Sequence, residues 1–220
     1  MTRKRWHRRV ALVLPAVAWL AAPAMAAADV DPGWRLRVSV ASVDFDSGLS
    51  SRSDYGIDVG AALTINGEYR FNRRLGLDLG AFGGGGVDVA GRRDWAGWPG
   101  HHDIYDTVSL SGLTAGLDVH LTPDGRVDLY ICPMVAIVEF GSLAFEAGPS
   151  GPRSGIDFDA DLALGASLGL GVPFGEGSSW SFNAHLTHLE STLNGGDHGD
   201  LRIDEDYNAT MFGVGFGYRF

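Results

Sequence analysis

The carboxy-terminal nine residues of this 220-residue chain alternate strictly between large apolar and small or charged side chains. The apolar positions are Phe212, Val214, Phe216, Tyr218 and Phe220. This alternation predicts a β-strand, because successive side chains of a strand point to opposite faces. One face is apolar enough to contact lipid, and a strand is stable in hydrocarbon only inside a closed barrel. The alternative is the closing strand of a soluble β-sandwich, and the rest of the chain favours the barrel.

The amino terminus has the pattern of a secretory signal peptide. Five basic residues within positions 3–9 precede an apolar run from Val10 to Ala22, and Ala24-Met25-Ala26 supplies small residues for cleavage. The run is shorter than the roughly 20 apolar residues that a spanning helix needs. We therefore expect residues 1–26 to be removed and residues 27–220 to form one domain that is exported from the cytoplasm.

Charge and cysteine content exclude some classes of function. Loss of the signal removes five of 17 basic residues and none of 27 acidic residues, which leaves 12 against 27 and a formal charge of −15. Such an acidic chain is a poor partner for nucleic acid. Cys132 is the single cysteine, so no internal disulfide can form, and we expect its thiol to be buried.

Eight segments of alternating hydrophobicity, separated by turn residues, are present in the mature chain. They cover residues 34–45, 55–71, 75–89, 104–121, 127–145, 156–172, 180–191 and 203–220. Most are longer than the 9–11 residues that cross a bilayer. The sequence thus predicts an all-β fold, an eight-stranded antiparallel transmembrane β-barrel of the outer-membrane type. Segments 47–54, 90–103, 146–155 and 192–202 are predicted to be extracellular loops, and both chain ends are predicted to be periplasmic.

The inward faces of the predicted strands differ between the two halves of the barrel. The periplasmic half receives many opposite charges, which are stable in a lumen only when they are paired. The predicted plug contains Arg35, Arg37, Glu68, Arg70, Asp78, Asp118, His120, Asp128 and Arg219, with Tyr130 and His185 at the same end. We expect these residues to block water and ions.

The outer half of the lumen receives apolar side chains instead. These are Val108, Leu110, Met134, Val138, Phe140, Leu189, Tyr207 and Met211. One interpretation is a pocket for a small hydrophobic ligand that leaves sideways through the wall, with Gly83 to Gly86 as a weak stretch. The other is that the side chains simply fill a barrel of eight strands, whose interior is narrow. Asp157, Asp159 and Asp161 share this level and count against a fully apolar pocket.

The mature chain resembles the OmpW family of small outer-membrane barrels. The resemblance is carried by 180–184 (Trp-Ser-Phe-Asn-Ala), 202–204 (Arg-Ile-Asp) and 217–220 (Gly-Tyr-Arg-Phe), and less strongly by 34–38 and 129–133. The chain departs from the family at 204–207, where Asp-Glu-Asp-Tyr replaces the usual Asp-Pro-Trp. The resemblance implies a narrow passage for small apolar molecules. Phe216, Tyr218 and Phe220 also resemble the terminal signal that the barrel assembly machinery recognises.

Enzyme and metal chemistry are not indicated. His185 and His188 are three residues apart, so on a strand they face opposite sides and cannot share a metal or a catalytic triad. In barrel-type lipid A deacylases a serine lies two residues after the histidine, where this chain has Glu190. His101-His102-Asp103 has the residue types of a weak metal site, but adjacent loop residues are usually only solvated. The four glycines 83–86 lack the strand–turn–helix setting of a phosphate-binding loop.

The sequence therefore predicts an outer-membrane protein that is not an enzyme, has no cofactor or metal, and passes small hydrophobic molecules. Its expected partners are outer-membrane lipids, the barrel assembly machinery and a small hydrophobic ligand, and we expect a monomer. The alternative is a structural or adhesive barrel whose extracellular loops bind a surface or host partner and whose lumen conducts nothing.

Overall fold

The computed structural model describes residues 33–47, 56–57, 60–94, 101–123, 126–141, 143–146, 153–196 and 202–220. These residues form eleven strands. They are β1 (Gly33–Ser47), β2 (Gly56–Ile57), β3 (Gly60–Arg70), β4 (Leu75–Asp94), β5 (His101–His120), β6 (Asp128–Phe140), β7 (Leu143–Glu146), β8 (Arg153–Phe158), β9 (Asp161–Pro173), β10 (Trp180–Gly196) and β11 (Arg202–Arg219). Within the described ranges, no helix is long and apolar enough to cross a membrane.

The strands close into an eight-stranded antiparallel barrel. Its wall runs in the order β1, β3, β4, β5, β6, β9, β10 and β11, and β11 pairs back with β1. The short strands β2, β7 and β8 extend this wall at one end, where β2 pairs with β4 and β8 pairs with β7 and β10. The predicted fold class is confirmed.

Several predicted strand limits are wrong. Some strands are longer than their turn-like residues suggest, and two others are interrupted. The segment 90–103 was predicted to be a loop, yet β4 and β5 stay paired up to Asp94 and His101. In the same way β10 reaches Gly196 and β11 begins at Arg202. Conversely, the predicted strands 127–145 and 156–172 are each interrupted, after Phe140 and after Phe158. In β4 and β5, cross-strand backbone pairing outweighs the local preference of Gly and Asp for turns.

The two ends of the barrel differ. The turn end carries the connections 71–74, 121–127 and 174–179 together with the carboxy terminus, and the loop end is the opposite one. At the turn end Asn72 Oδ1 accepts hydrogen bonds from the backbone N–H groups of Arg74 and Leu75, at 2.8 and 2.9 Å. In the last connection Gly177 has φ of 73°, which favours glycine.

The outer surface of the wall is an apolar belt. Exposed large hydrophobic residues occur on every strand of the wall, among them Val40, Leu63, Leu79, Leu113, Ile137, Leu168, Leu186 and Phe212. Aromatic rings pack together at the turn end, with Trp34 and Tyr69 centroids 5.1 Å apart and Trp180 and Tyr218 centroids 4.9 Å apart. This is the arrangement of a lipid-facing band with an interfacial aromatic girdle.

Candidate functional site in the barrel lumen

A network of buried charges fills the lumen at the turn end. The strand register brings the residues together, because Arg35 faces Glu68 across β1 and β3, and Glu68 faces Asp78 across β3 and β4. Along each strand these side chains occupy the inward positions, so the network spans several strands at one height. Eight of the nine residues predicted for the plug lie in this network: Arg35, Arg37, Glu68, Arg70, Asp78, Asp118, His120 and Asp128.

Arg37 is the centre of the network. Its guanidinium contacts Asp78, lies 2.7 Å from Asp118 Oδ2, and lies 3.6 Å from Glu68 Oε2. The planar group also stacks on Tyr130, with Cζ 4.6 Å from the ring centroid. Asp118 and Glu68 are fully buried and Asp78 is 3% exposed, so this one cation stabilises three carboxylates that are shielded from bulk water.

His120 bridges Glu68 and Asp128 in the part of the network nearest the turn end. Its Nε2 lies 2.7 Å from Glu68 Oε1, and its Nδ1 lies 2.8 Å from Asp128 Oδ1. Arg70 contacts Asp128 and donates from Nε to Glu68 Oε1 at 2.7 Å, while its Nη2 lies 2.9 Å from His120 Nδ1. Arg35 Nη1 donates to Asp128 Oδ2 at 3.0 Å. Every carboxylate of the network therefore has a cationic neighbour.

The network could hold a metal only by displacing an arginine. Ligand atoms of Glu68, Asp118 and His120 lie within 4.8 Å of one another. However, the guanidinium groups of Arg37 and Arg70 already contact Asp118 and Glu68. Three arginines face four carboxylates, so the proton count of His120 decides whether the net charge is −1 or zero. We assign no metal to these residues.

Tyr130 is held in place by a close approach to Gly169. The two residues are partners in the ladder between β6 and β9, and the ring covers the glycine. A Cβ built at Gly169 would lie 2.6 Å from Tyr130 Cε2, which is too close for two carbons. A glycine is required here so that the ring can lie beneath Arg37.

We expect Gly169→Ala to lower the free energy of unfolding by about 1–3 kcal/mol, because the ring must shift in a packed interior. Gly83→Ala is the matched control, since a Cβ at Gly83 would meet its nearest atom, Ser111 Cβ, at 3.8 Å. The measurement is urea unfolding in lipid bilayers, followed by tryptophan fluorescence. Equal stability losses in both variants would show that the Tyr130 contact is unimportant.

A small cavity lies above the network. Its volume is about 40 Å³, and its lining includes Arg37, Asp78 and Asp118 below and Phe82, Met134 and Met211 above. Between these levels lie the polar residues Ser39, Thr64, Asn66, Thr114, Ser167, His185 and Thr187. Because one water needs about 10–15 Å³, the cavity has room for about three waters. It is too small for a hydrophobic ligand, whose sites are typically about 300–1,000 Å³.

An apolar layer closes the lumen between this cavity and the loop end. Leu189, Val138 and Tyr207 are at most 1% exposed. The rings of Tyr207 and Phe140 pack edge to face with centroids 4.7 Å apart. The layer also contains Leu110, Met134 and Met211, all buried. Seven of the eight residues predicted for the pocket therefore come together, as a packed layer rather than an open space.

At the height of the apolar layer, the outer surface of the barrel begins to carry polar side chains. Leu110 lies between the exposed Ser109 and Ser111, and Leu189 lies between the exposed His188 and Glu190. The apolar layer is therefore level with the loop-side edge of the lipid-facing belt.

Some predicted site residues lie elsewhere. The prediction that Arg219 belongs to the plug is wrong. Arg219 pairs with Arg35 in the ladder, but its side chain is exposed, because at the end of the barrel an inward position on a strand no longer lies inside the lumen. The side chain of Val108 lies outside the described part of the structure, as do those of 101–103. Phe82 was missed although it is inward, four residues after Asp78 on the same strand, which is the signal that could have identified it.

The histidines weighed for catalysis lie on opposite sides of the wall. His185 lines the inner cavity, whereas His188 is exposed and its Nε2 lies 3.9 Å from Glu190 Oε1. His188 Nδ1 also lies 3.0 Å from Thr210 Oγ1. Phe216, Tyr218 and Phe220, the predicted assembly signal, lie on β11 and just after it, at the turn end of the outer surface.

Comparisons with known proteins agree with this architecture. A family model described as outer membrane protein beta-barrel domain matches residues 12–220. No curated protein sequence matches the chain.

Solved structures with this fold have little sequence identity to the chain. OprG from Pseudomonas aeruginosa is 16% identical, with 86% of this chain and 96% of OprG covered and a TM-score of 0.55. AlkL, determined in lipid bilayers, is 18% identical, with 88% and 92% covered and a TM-score of 0.53. The outer membrane protease OmpT from Escherichia coli is 8% identical, with 87% and 99% covered and a TM-score of 0.54. At these identities the similarity establishes the fold alone.

Proposed function

We propose that this chain, which belongs to the outer membrane protein beta-barrel domain family, admits small hydrophobic molecules from the outer side and releases them sideways into the bilayer. The observation that carries the proposal is the order of layers in one lumen, with a buried apolar layer stacked on a buried charged network. An apolar molecule is compatible with the first layer and is excluded by the second. Its remaining way out is through the wall.

Entry requires the apolar layer to open, because its side chains are packed. Met134 and Met211 lie in the layer and line the cavity below it. Methionine side chains are unbranched and adapt to irregular shapes at low cost. We therefore infer that a ligand takes the place of side chains that move aside, and that the charged network stays closed throughout.

The packing itself favours a second candidate, a structural or adhesive barrel whose lumen conducts nothing. Leu189 is completely buried, and the neighbouring cavity has room for only a few waters. In that case the function would reside in the loops at the loop end. The two candidates differ in what removal of the protein does to uptake of an apolar solute.

The experiment compares the initial rate of uptake of a labelled medium-chain alkane by cells with and without the protein. Surface expression must be matched, and a labelled sugar of similar size serves as the polar control. Faster uptake of the alkane alone supports the passage. Equal alkane uptake in both strains would contradict it and favour the structural or adhesive barrel.

A further inference from the structure

The backbone ladder of the wall is interrupted between β9 and β10, beside the apolar layer. A second interruption, between β5 and β6 at 117–118 and 132–133, lies level with Asp118 of the charged network. β10 pairs with β9 as far as Glu190 and Leu164, and with β8 only from Gly195 and Phe158 onward. Among the described strands, residues 191–194 of β10 therefore have no ladder partner on this edge. Their other edge stays paired with β11, from Ser191 with Tyr207 to Asn194 with Asp204.

The facing strand shows the same gap. Residues 161–163 of β9 pair with β6, from Asp161 with Val138 to Ala163 with Ala136. They have no ladder partner on β10 within the described residues, and Asp159 and Ala160 belong to no strand. Neither side of the gap is covered by another described strand of the wall.

Side chains bridge the gap in place of the backbone. Ser191 Oγ donates to Asp161 Oδ2 at 3.0 Å and lies 3.3 Å from the carbonyl oxygen of Leu162. A hydroxyl has one proton, so it donates to one of these acceptors at a time. A side-chain hydrogen bond contributes less than a row of backbone hydrogen bonds does.

The gap lies at the height of the apolar layer. Ser191 is the ladder partner of Tyr207, Leu189 precedes it by two residues on the same face, and Val138 is the partner of Asp161. On the outer surface Ala160 and Glu190 are exposed, whereas Leu186, lower on β10, belongs to the lipid-facing belt. A molecule that passed through the gap would emerge at the loop-side edge of the bilayer.

The glycine-rich stretch offers a less suitable exit. The ladder between β4 and β5 shifts register between Gly84 and Val87, but pairing resumes at once with Val87 and Val108. This is a β-bulge, which bends a strand and leaves the wall continuous.

We propose that the lateral exit lies between β9 and β10, at residues 159–163 and 191–194, and that the hydrogen bond from Ser191 to Asp161 is its latch. The inference rests on the proposed function, because it assigns the place where the apolar molecule leaves the lumen. The occupant is the same small hydrophobic molecule, and the latch sets how often the wall opens.

Ser191→Ala tests the latch, and Ser42→Ala is the matched control. Ser42 Oγ donates to the carbonyl oxygen of Phe212 at 3.4 Å across β1 and β11, where the ladder is continuous. If the wall opens at the latch, Ser191→Ala should raise the rate of alkane uptake by about two- to tenfold, the factor expected for loss of one hydrogen bond. Ser42→Ala should leave the rate unchanged.

A disulfide at the edge of the gap gives an independent test. In a Cys132→Ala background, Leu164→Cys with Glu190→Cys would tie β9 to β10 at their last ladder partners before the gap, and Ser42→Cys with Phe212→Cys would tie ladder partners of β1 and β11. Oxidation should slow uptake severalfold in the first protein only, and reduction should restore it.

The outcomes separate the two proposals. Suppose that cells with the wild-type protein take up alkane faster than cells without it. If Ser191→Ala then leaves the rate unchanged, or changes it no more than Ser42→Ala does, the location of the exit is wrong but the passage itself is still supported. Uptake that never exceeds the empty strain overturns the passage itself.

Discussion

Replacing Arg37 by Met is expected to lower the free energy of unfolding by about 3–5 kcal/mol, the cost of breaking a buried ion pair by removing one partner. The substitution keeps the length and much of the volume of the side chain. It leaves Asp78, Asp118 and Glu68 without their shared cation, in a part of the lumen where Asp118 and Glu68 are fully buried. The measurement is urea unfolding of the full barrel in lipid bilayers.

Arg219→Met is the control for this prediction. Arg219 is the same residue type on a neighbouring strand, but its side chain is exposed. Its loss should change the free energy of unfolding by no more than about 0.5 kcal/mol. Adding Asp118→Asn to Arg37→Met should recover part of the loss, because the two side chains are directly paired at 2.7 Å. Equal effects of the two arginine substitutions would show that the network does not stabilise the barrel.

Leu110→Asn is expected to reduce alkane uptake by about tenfold, since placing an amide in an apolar environment costs about 1–3 kcal/mol. Leu110 is 4% exposed and belongs to the apolar layer, and Asn has a similar shape and no charge. The measurement is the initial uptake rate at matched surface expression, with folding checked by the mobility of the unheated barrel on a denaturing gel.

Ser111→Asn provides the matched control. Ser111 is the next residue on β5 and is exposed on the outer surface, so the same amide is added at the same height outside the lumen. Uptake should not change. If the folded Leu110→Asn protein takes up alkane as fast as the wild type, the apolar layer is not on the path of the solute.

The fold and the charged network were accessible from the sequence because both follow from a period of two. Alternation assigns Glu68, Asp78 and Asp118 to the same inward face, and closing the barrel brings them to one height. Arg219 obeys the same alternation and still lies outside the network, because the last residue of a strand projects past the end of the lumen. The alternation predicts which face of the wall a side chain points to, but not its position along the barrel axis.

The cavity and the gap in the wall could not be read from the sequence. The cavity depends on the space left between Arg37 on one side and Phe82, Met134 and Met211 on the other, which is a property of the whole assembled barrel. The gap depends on where β9 begins and which residues of β10 it reaches. Asp159 and Asp161 looked like parts of one continuous strand, and the chain leaves the sheet between Phe158 and Asp161.

The most direct test of the account is a nuclear magnetic resonance titration of the barrel with a medium-chain alkane, observing ¹³C-labelled methionine methyl groups. The chain has four methionines, of which Met1 and Met25 lie in the predicted signal peptide and Met134 and Met211 lie in the apolar layer. Met134→Leu and Met211→Leu assign the two signals. The account predicts that both signals shift saturably with alkane and do not shift with a sugar. Unchanged signals from a folded barrel at saturating alkane would contradict it.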